Sequence, residues 1–367
     1  MIKRVLQILF LLINVTCFSQ VSEQYFSDSC YIGAMNGLAV KHRSFVFAGA
    51  TVYDNGQRLV LCKINANGDT VWSTSQPSYY EERFISLTTS QEGDIYALIG
   101  IPENFGKYNK YFIWKVEGNT GKVKWIYSHE SNEYSVCIKD FDTVKVILLQ
   151  TLTSKIKLIP ISKKTGIADS AFYINKAISL KMIAFDSAKY MYFHKSVDTL
   201  IKVSYNKPDS IIWQKKFQRT SSEDYFNSII IDSMGRFFLI SSKSGYSQIA
   251  KINQWTGDTI FTRKLPDKYL WYVDAGNDMY LTFDNIDHVK NVVRVNKNSG
   301  VTKIISLPDN QSLDADSLGN IYYVCLYGPY GSIPYYCIYR WNEPGGTTEY
   351  ITRIYNYKGL PNMSPNY

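Results

Sequence analysis

Residues Phe112–Tyr127 read FIWKVEGNTGKVKWIY. Apolar and polar side chains alternate up to Val116, Thr120-Gly121 supplies a turn, and the alternation resumes through Trp125, which predicts a β-hairpin. Glycine suits such a turn because tight two-strand connections require positive φ. Imperfect copies recur with turns at Asn67-Gly68, Thr165-Gly166, Thr256-Gly257 and Ser299-Gly300, and degenerate ones at Pro208-Asp209 and Gly345-Gly346. A second turn also recurs, each time leading into an aromatic strand. It stands at Glu92-Gly93-Asp94-Ile95-Tyr96, Asp232-Ser233-Met234-Gly235-Arg236-Phe237, Gly276-Asn277-Asp278-Met279-Tyr280 and Asp316-Ser317-Leu318-Gly319-Asn320-Ile321-Tyr322.

These signals group the strands in fours at a period of roughly 42–50 residues, the spacing of propeller blades. Seven units follow, near 31–76, 81–127, 134–176, 178–218, 224–265, 269–307 and 311–355. The expectation is an all-β fold, a single β-propeller across 20–355 with seven four-stranded blades. A ring buries the sheet faces that an isolated unit would expose. Six or eight blades remain compatible, because the first unit is blurred. Val21–Tyr31 is expected to add a strand that seals the ring, and 356–367 reads as a short polar tail.

The 367 residues are 45% hydrophobic and 15% aromatic, with 30 Tyr and 18 Phe, ample for a large core and biased toward strands. The formal charge is +8, two of it from Lys3 and Arg4, and no basic run appears, so nucleic-acid binding is not indicated. Met1–Arg4 is a basic start, Val5–Val15 an apolar run, and Cys17-Phe18-Ser19 ends a segment with small residues at both cleavage positions. Residues 1–19 therefore read as a secretory signal peptide, too short to span a bilayer. A second-ranked reading makes Cys17 a lipidated first residue, against the poor match of Asn14-Val15-Thr16 to the sequence that precedes such cysteines. The expected location is periplasmic or extracellular.

Five cysteines follow the leader: Cys30, Cys62, Cys137, Cys325 and Cys337. An odd, irregular set is not a disulfide framework. Cys325 and Cys337 flank one hairpin loop and could pair; the other reading is buried strand thiols acting as small apolar side chains.

The Thr-Gly turn followed four residues later by Trp resembles the tryptophan-docking motif of pyrroloquinoline-quinone-type propeller repeats. Thr120-Gly121-Lys122-Val123-Lys124-Trp125 is the nearest copy, and Gly68 to Trp72 and Gly257 to Phe261 keep the spacing. Where the family has Asp three residues before the Thr, this chain has Glu117, Asn253, Asn296 or Ser162. The resemblance implies the fold and a docking role for Trp72, Trp125, Trp213 and Phe261. It does not carry over the quinone, since the family's adjacent cysteines are missing and no Asp matches its catalytic position. No cofactor is expected.

Catalytic patterns are thin. His42, His129, His194 and His288 are widely spaced and form neither HxH nor HExxH. Asp284, Asp287 and His288 share a loop that could hold a hard cation, although a solvated turn is the stronger reading. The chain is expected not to be an enzyme.

Loop length offers the remaining clue. Units three, four and five connect their second and third strands tightly, near Thr153, Ser196 and Gly245. Units two and seven instead carry Ile101–Lys110 and Tyr327–Tyr336, long and rich in aromatics, Pro and Gly. With unit one between them, Arg58, Tyr80, Phe105, Tyr108, Tyr330 and Tyr335 are expected to line a patch for a protein or glycan partner in the cell envelope. The function expected is a binding or assembly scaffold. The alternative is a propeller lyase, lactonase or quinone-dependent dehydrogenase with its site at the central channel.

Overall fold

The structure, a computed structural model, describes residues 22–24, 36–40, 44–53, 56–65, 69–78, 83–90, 92–102, 108–130, 136–152, 155–175, 183–186, 189–196, 198–218, 225–232, 234–243, 246–265, 269–275, 277–283, 291–306, 312–315, 321–327, 335–342 and 347–355. Its described strands fall into seven sheets, each built on a four-strand antiparallel meander.

Blade one comprises Asn36–Val40, Ser44–Tyr53, Gly56–Ile64 and Thr70–Ser78; blade two Arg83–Thr89, Ile95–Pro102, Tyr108–Val116 and Val123–Glu130. Blade three comprises Val136–Asp140, Lys145–Thr151, Lys155–Ser162 and Phe172–Asn175; blade four Ile183–Phe185, Tyr190–Ser196, Thr199–Ser204 and Lys207–Lys216. Blade five comprises Tyr225–Ile231, Phe237–Lys243, Tyr246–Ile252 and Thr259–Leu265; blade six Tyr269–Ala275, Asp278–Phe283, Asn291–Asn296 and Thr302–Ser306. Blade seven comprises Ser312–Ala315, Ile321–Tyr327, Tyr335–Asn342 and Thr347–Tyr355, and Ser22–Gln24 joins its outer strand in parallel.

The first strand of blade two lies against the first strands of blades one and three, and that of blade seven against those of blades six and one. First strands are thus innermost, and the ring closes between blades seven and one.

The core lies between blades, because each central strand buries both of its faces. In Ile95–Pro102, Ile95, Ala97 and Ile99 pack with Val46, Leu59 and Trp72 of blade one. The alternate Tyr96 and Leu98 pack with Ile138, Leu148 and Ile159 of blade three. This two-sided burial explains near-continuous apolar runs such as Lys145–Thr151 (KVILLQT) and Phe237–Lys243 (FFLISSK). An aromatic wedge joins blades three and four, where the Tyr205 ring meets Phe141 at 4.3 Å and Phe172 at 4.8 Å.

The recurring turn between first and second strands is held by its aspartate. Asp232 Oδ1 accepts hydrogen bonds from the backbone N–H of Met234 (3.0 Å) and Arg236 (2.8 Å). Asp142 does the same for Val144 and Lys145.

Candidate functional site

The connections lie at two ends of the blades. Turns between first and second and between third and fourth strands share one end; connections between second and third strands and between blades share the other.

At the turn end, the outer strand of one blade reaches the hairpin of the next. Gly121 adopts φ +73° and its N–H bonds the Glu117 carbonyl at 2.9 Å, so the hairpin tip is flat and lacks a side chain. The Trp72 indole of blade one lies in that space: a Cβ on Gly121 would stand 2.7 Å from its Cδ2. Its Nε1 donates to the Gly118 carbonyl at 3.0 Å. Trp125 of blade two repeats this on blade three, donating to Lys163 O at 3.0 Å beside Gly166. Trp213 of blade four repeats it on blade five, donating to Gln254 O at 3.0 Å beside Gly257. Phe261 of blade five lies against Gly300 of blade six. Without an indole N–H there, Arg263 supplies the donors, to the carbonyls of Gly300 (3.1 Å) and Ser299 (3.2 Å).

Sequence reasoning missed the second half of this device. Each indole is paired across the hairpin with a lysine on the third strand, namely Lys63, Lys115 and Lys202. Each ammonium donates to the carbonyl its indole uses: Lys63 to Gly118 O (2.7 Å), Lys115 to Lys163 O (2.9 Å) and Lys202 to Gln254 O (3.0 Å). A register shift follows each lysine, the local kink that a β-bulge introduces. Lys202 is 1% exposed, with its ammonium 4.1 Å from the Tyr190 ring centre and 4.8 Å from that of Trp255. Burial holds the Lys63 and Lys202 ammonium groups below the usual lysine range. The signal was present as Lys63-Ile64, Lys115-Val116, Lys202-Val203 and Lys251-Ile252 at one place in the repeat.

Several described ionisable residues join neighbouring blades or are buried between them. Asp232, its side chain wholly buried, pairs with Arg236 Nε at 2.6 Å and with Lys297 of blade six at 3.3 Å. His129 Nε2 meets Gln150 Oε1 of blade three at 3.2 Å, and its ring stacks on Tyr127. His194 is fully buried against Phe226 at 4.1 Å between ring centres, and neither ring nitrogen has a hydrogen-bond partner. Burial pushes that imidazole down to about 3. His129 and His194 sit in blades two and four, while His42, His288, Asp284 and Asp287 lie outside the described residues. Among the described residues no three His, Cys, Asp or Glu side chains gather as a metal-ligand group. Cys62 is buried, and desolvation lifts its thiol to about 12; it and Cys137 are free.

The other end carries the loops. Second and third strands are separated by 54–55 in blade one, 103–107 in two, 152–154 in three, 197–198 in four, 244–245 in five, 284–290 in six and 328–334 in seven. Long connections therefore fall in blades six, seven and two, with blade one between the last pair. Arg58 stands near the start of the third strand of blade one, and Tyr108 and Tyr335 begin the third strands of blades two and seven. These three positions share the loop end of the ring. Tyr80, Phe105 and Tyr330 lie outside the described residues. Cys325 and Cys337 occupy directly opposed register positions in blade seven.

No family model matches the chain, and no curated protein matches it in sequence. Solved structures do. The uncharacterized protein lmo1340 from Listeria monocytogenes is similar over 83% of this chain and 92% of that one, with TM-score 0.54 and 9% identity. Sqt1 of Saccharomyces cerevisiae is similar over 90% and 88%, with TM-score 0.52 and 11% identity. A puromycin-hydrolyzing peptidase of Mycobacterium tuberculosis is similar over 84% of this chain and 51% of its own, with TM-score 0.52 and 10% identity. At such identities the likeness is one of fold: this chain is a β-propeller.

Proposed function

We propose that the chain is an exported, non-catalytic β-propeller with pyrroloquinoline-quinone-type repeats, acting in the cell envelope as a binding or assembly scaffold. The observation that carries this reading is the contrast between its two ends. At the turn end, tryptophans, lysines and buried carboxylates are engaged in joining blades. The loop end departs from the repeat in one sector, where long connections of blades six, seven and two flank blade one. Loops on a rigid scaffold are where binding residues collect.

The sparse acids of the innermost strands support binding over channel chemistry. Their sequences are NGLAV, RFISLTT, VCIKD, IAF, YFNSIII, YLWYVDA and SLDA, without histidine or glutamate and with the aspartates Asp140, Asp274 and Asp314. The Asp140 carboxylate is engaged by Lys163 at 2.6 Å.

The partner is a protein or glycan that meets the aromatic sector around Arg58, Tyr80, Phe105, Tyr108, Tyr330 and Tyr335. The test is capture of partners from a native envelope extract by the full mature chain, repeated with the Tyr108→Ala, Tyr330→Ala double variant. Loss of a specifically captured partner, with the melting temperature unchanged, is expected. A folded double variant that retains every ligand of the wild type refutes the patch.

A further inference from the structure

We infer that Cys325 and Cys337 are a redox pair that closes a cross-strand disulfide at the base of the long blade-seven hairpin. Their strands, Ile321–Tyr327 and Tyr335–Asn342, run antiparallel, and Cys325 is the direct register partner of Cys337. Val324 opposite Ile338 and Leu326 opposite Tyr336 flank them, and no register shift interrupts this strand pair. Directly opposed residues of an antiparallel pair have Cα atoms roughly 4.5–5.5 Å apart and place their side chains on one face of the sheet. A disulfide spans Cα separations of roughly 4.4–6.8 Å. The register alone thus brings the two positions within bridging range without backbone movement.

The other strand cysteines lack this arrangement. Cys62 stands between Phe47 and Ser73 in register, and Cys137 opposite Leu149. Position in the ring adds a reason for a bridge here. Blade seven closes the ring against blade one, and its outer strand is completed by a three-residue pairing with Ser22–Gln24. Its second and third strands are also joined through 328–334, far from the tight connections of blades three to five. A covalent link two residues inside that hairpin fixes its base whatever the loop beyond it does.

The bridge forms by exchange with a small-molecule disulfide such as oxidised glutathione. One cysteine thiolate attacks the donor's S–S bond, forming a mixed disulfide and releasing one donor thiol. The second cysteine then attacks the protein-bound sulfur, forming the Cys325–Cys337 bond and releasing the second donor thiol. Two cysteine thiols are oxidised and one donor disulfide is reduced, so the exchange balances.

The test uses the full mature chain, folded, reduced and then incubated with oxidised glutathione. Remaining thiols are alkylated before digestion without reductant, and the peptides are read by mass spectrometry. The expected result is one peptide pair joined through Cys325 and Cys337, lighter by two hydrogens than the reduced peptides, with Cys62 alkylated only after unfolding. Alkylation of both Cys325 and Cys337, glutathione retained on either, or a link from either to Cys30, Cys62 or Cys137 would overturn the pairing.

Discussion

The blade-docking geometry makes a prediction that a list of contacts does not: a glycine and a tryptophan 49 positions apart in the chain are energetically coupled. Gly121→Ala introduces two penalties. The backbone holds φ +73°, where a Cβ costs ~1–2 kcal/mol. The new methyl would also stand 2.7 Å from the Trp72 ring, which its bond to Gly118 O keeps from retreating. Over-packing of that kind costs ~1–3 kcal/mol, giving ~2–5 kcal/mol in all. Gly93 isolates the first penalty. Its φ is +93°, yet a Cβ there meets nothing within 4 Å, so Gly93→Ala is expected to cost only the ~1–2 kcal/mol of backbone strain.

Trp72→Ala on its own removes a buried indole and is expected to cost ~3–5 kcal/mol. In that background the clash has gone, and Gly121→Ala should add only its backbone term. The double variant is therefore more stable than the sum of the singles predicts, by ~1–3 kcal/mol. Equilibrium urea unfolding of the four proteins measures this. Additivity within ~0.5 kcal/mol, or equal costs at Gly93 and Gly121, refutes the docking argument.

Two further outcomes are expected. His194 is buried with an imidazole at about 3 when folded and near 6.5 when unfolded. As pH falls below 6.5 the unfolded chain takes up a proton that the folded one refuses, so stability drops by ~1.4 kcal/mol per unit until about pH 3. His194→Leu removes this term, so its stability relative to wild type should rise by ~2 kcal/mol between pH 7 and pH 5 in urea titrations; a constant difference sinks the assignment. Asp232→Asn leaves the buried Lys297 and the partly buried Arg236 facing a neutral amide and is expected to cost ~3–5 kcal/mol, readable as a fall in melting temperature that an exposed control such as Asp258→Asn does not show.

How much of this was legible depended on whether the physics repeats. Alternating strands recur in every unit, and turn glycines in most, because each blade must solve the same problem of a tight hairpin and two buried faces. The propeller was therefore readable without any single diagnostic residue. The substitutions at the capping position, Glu117, Asn253, Asn296 and Ser162, were readable as departures from a family pattern. The equivalence of three of them was not, and the structure supplies it: Asn253 and Asn296 accept backbone N–H groups through Oδ1, and Ser162 does so through Oγ, whereas Glu117 accepts from the Thr120 hydroxyl. The Lys63, Lys115 and Lys202 donors were missed for a different reason. A lysine in an alternating strand reads as solvated, and the neighbouring blade's carbonyl is what makes it an interblade donor. Arg263 is hidden further, since it serves an interface whose indole has become Phe261, and compensation of that kind has no period to detect.

The same reasoning bears on function. Residues that repeat are explained by the ring, and among the described residues apolar clusters join each successive pair of blades from one to six. Selection for a ligand must then show where repetition fails, because a binding surface breaks the equivalence of blades that folding maintains. At the loop end of this chain the departure is in length, in the connections of blades six, seven and two, beside the blade on which the ring closes. On the proposed reading a partner meets that sector, and a mutation at the turn end tests only how the ring is held.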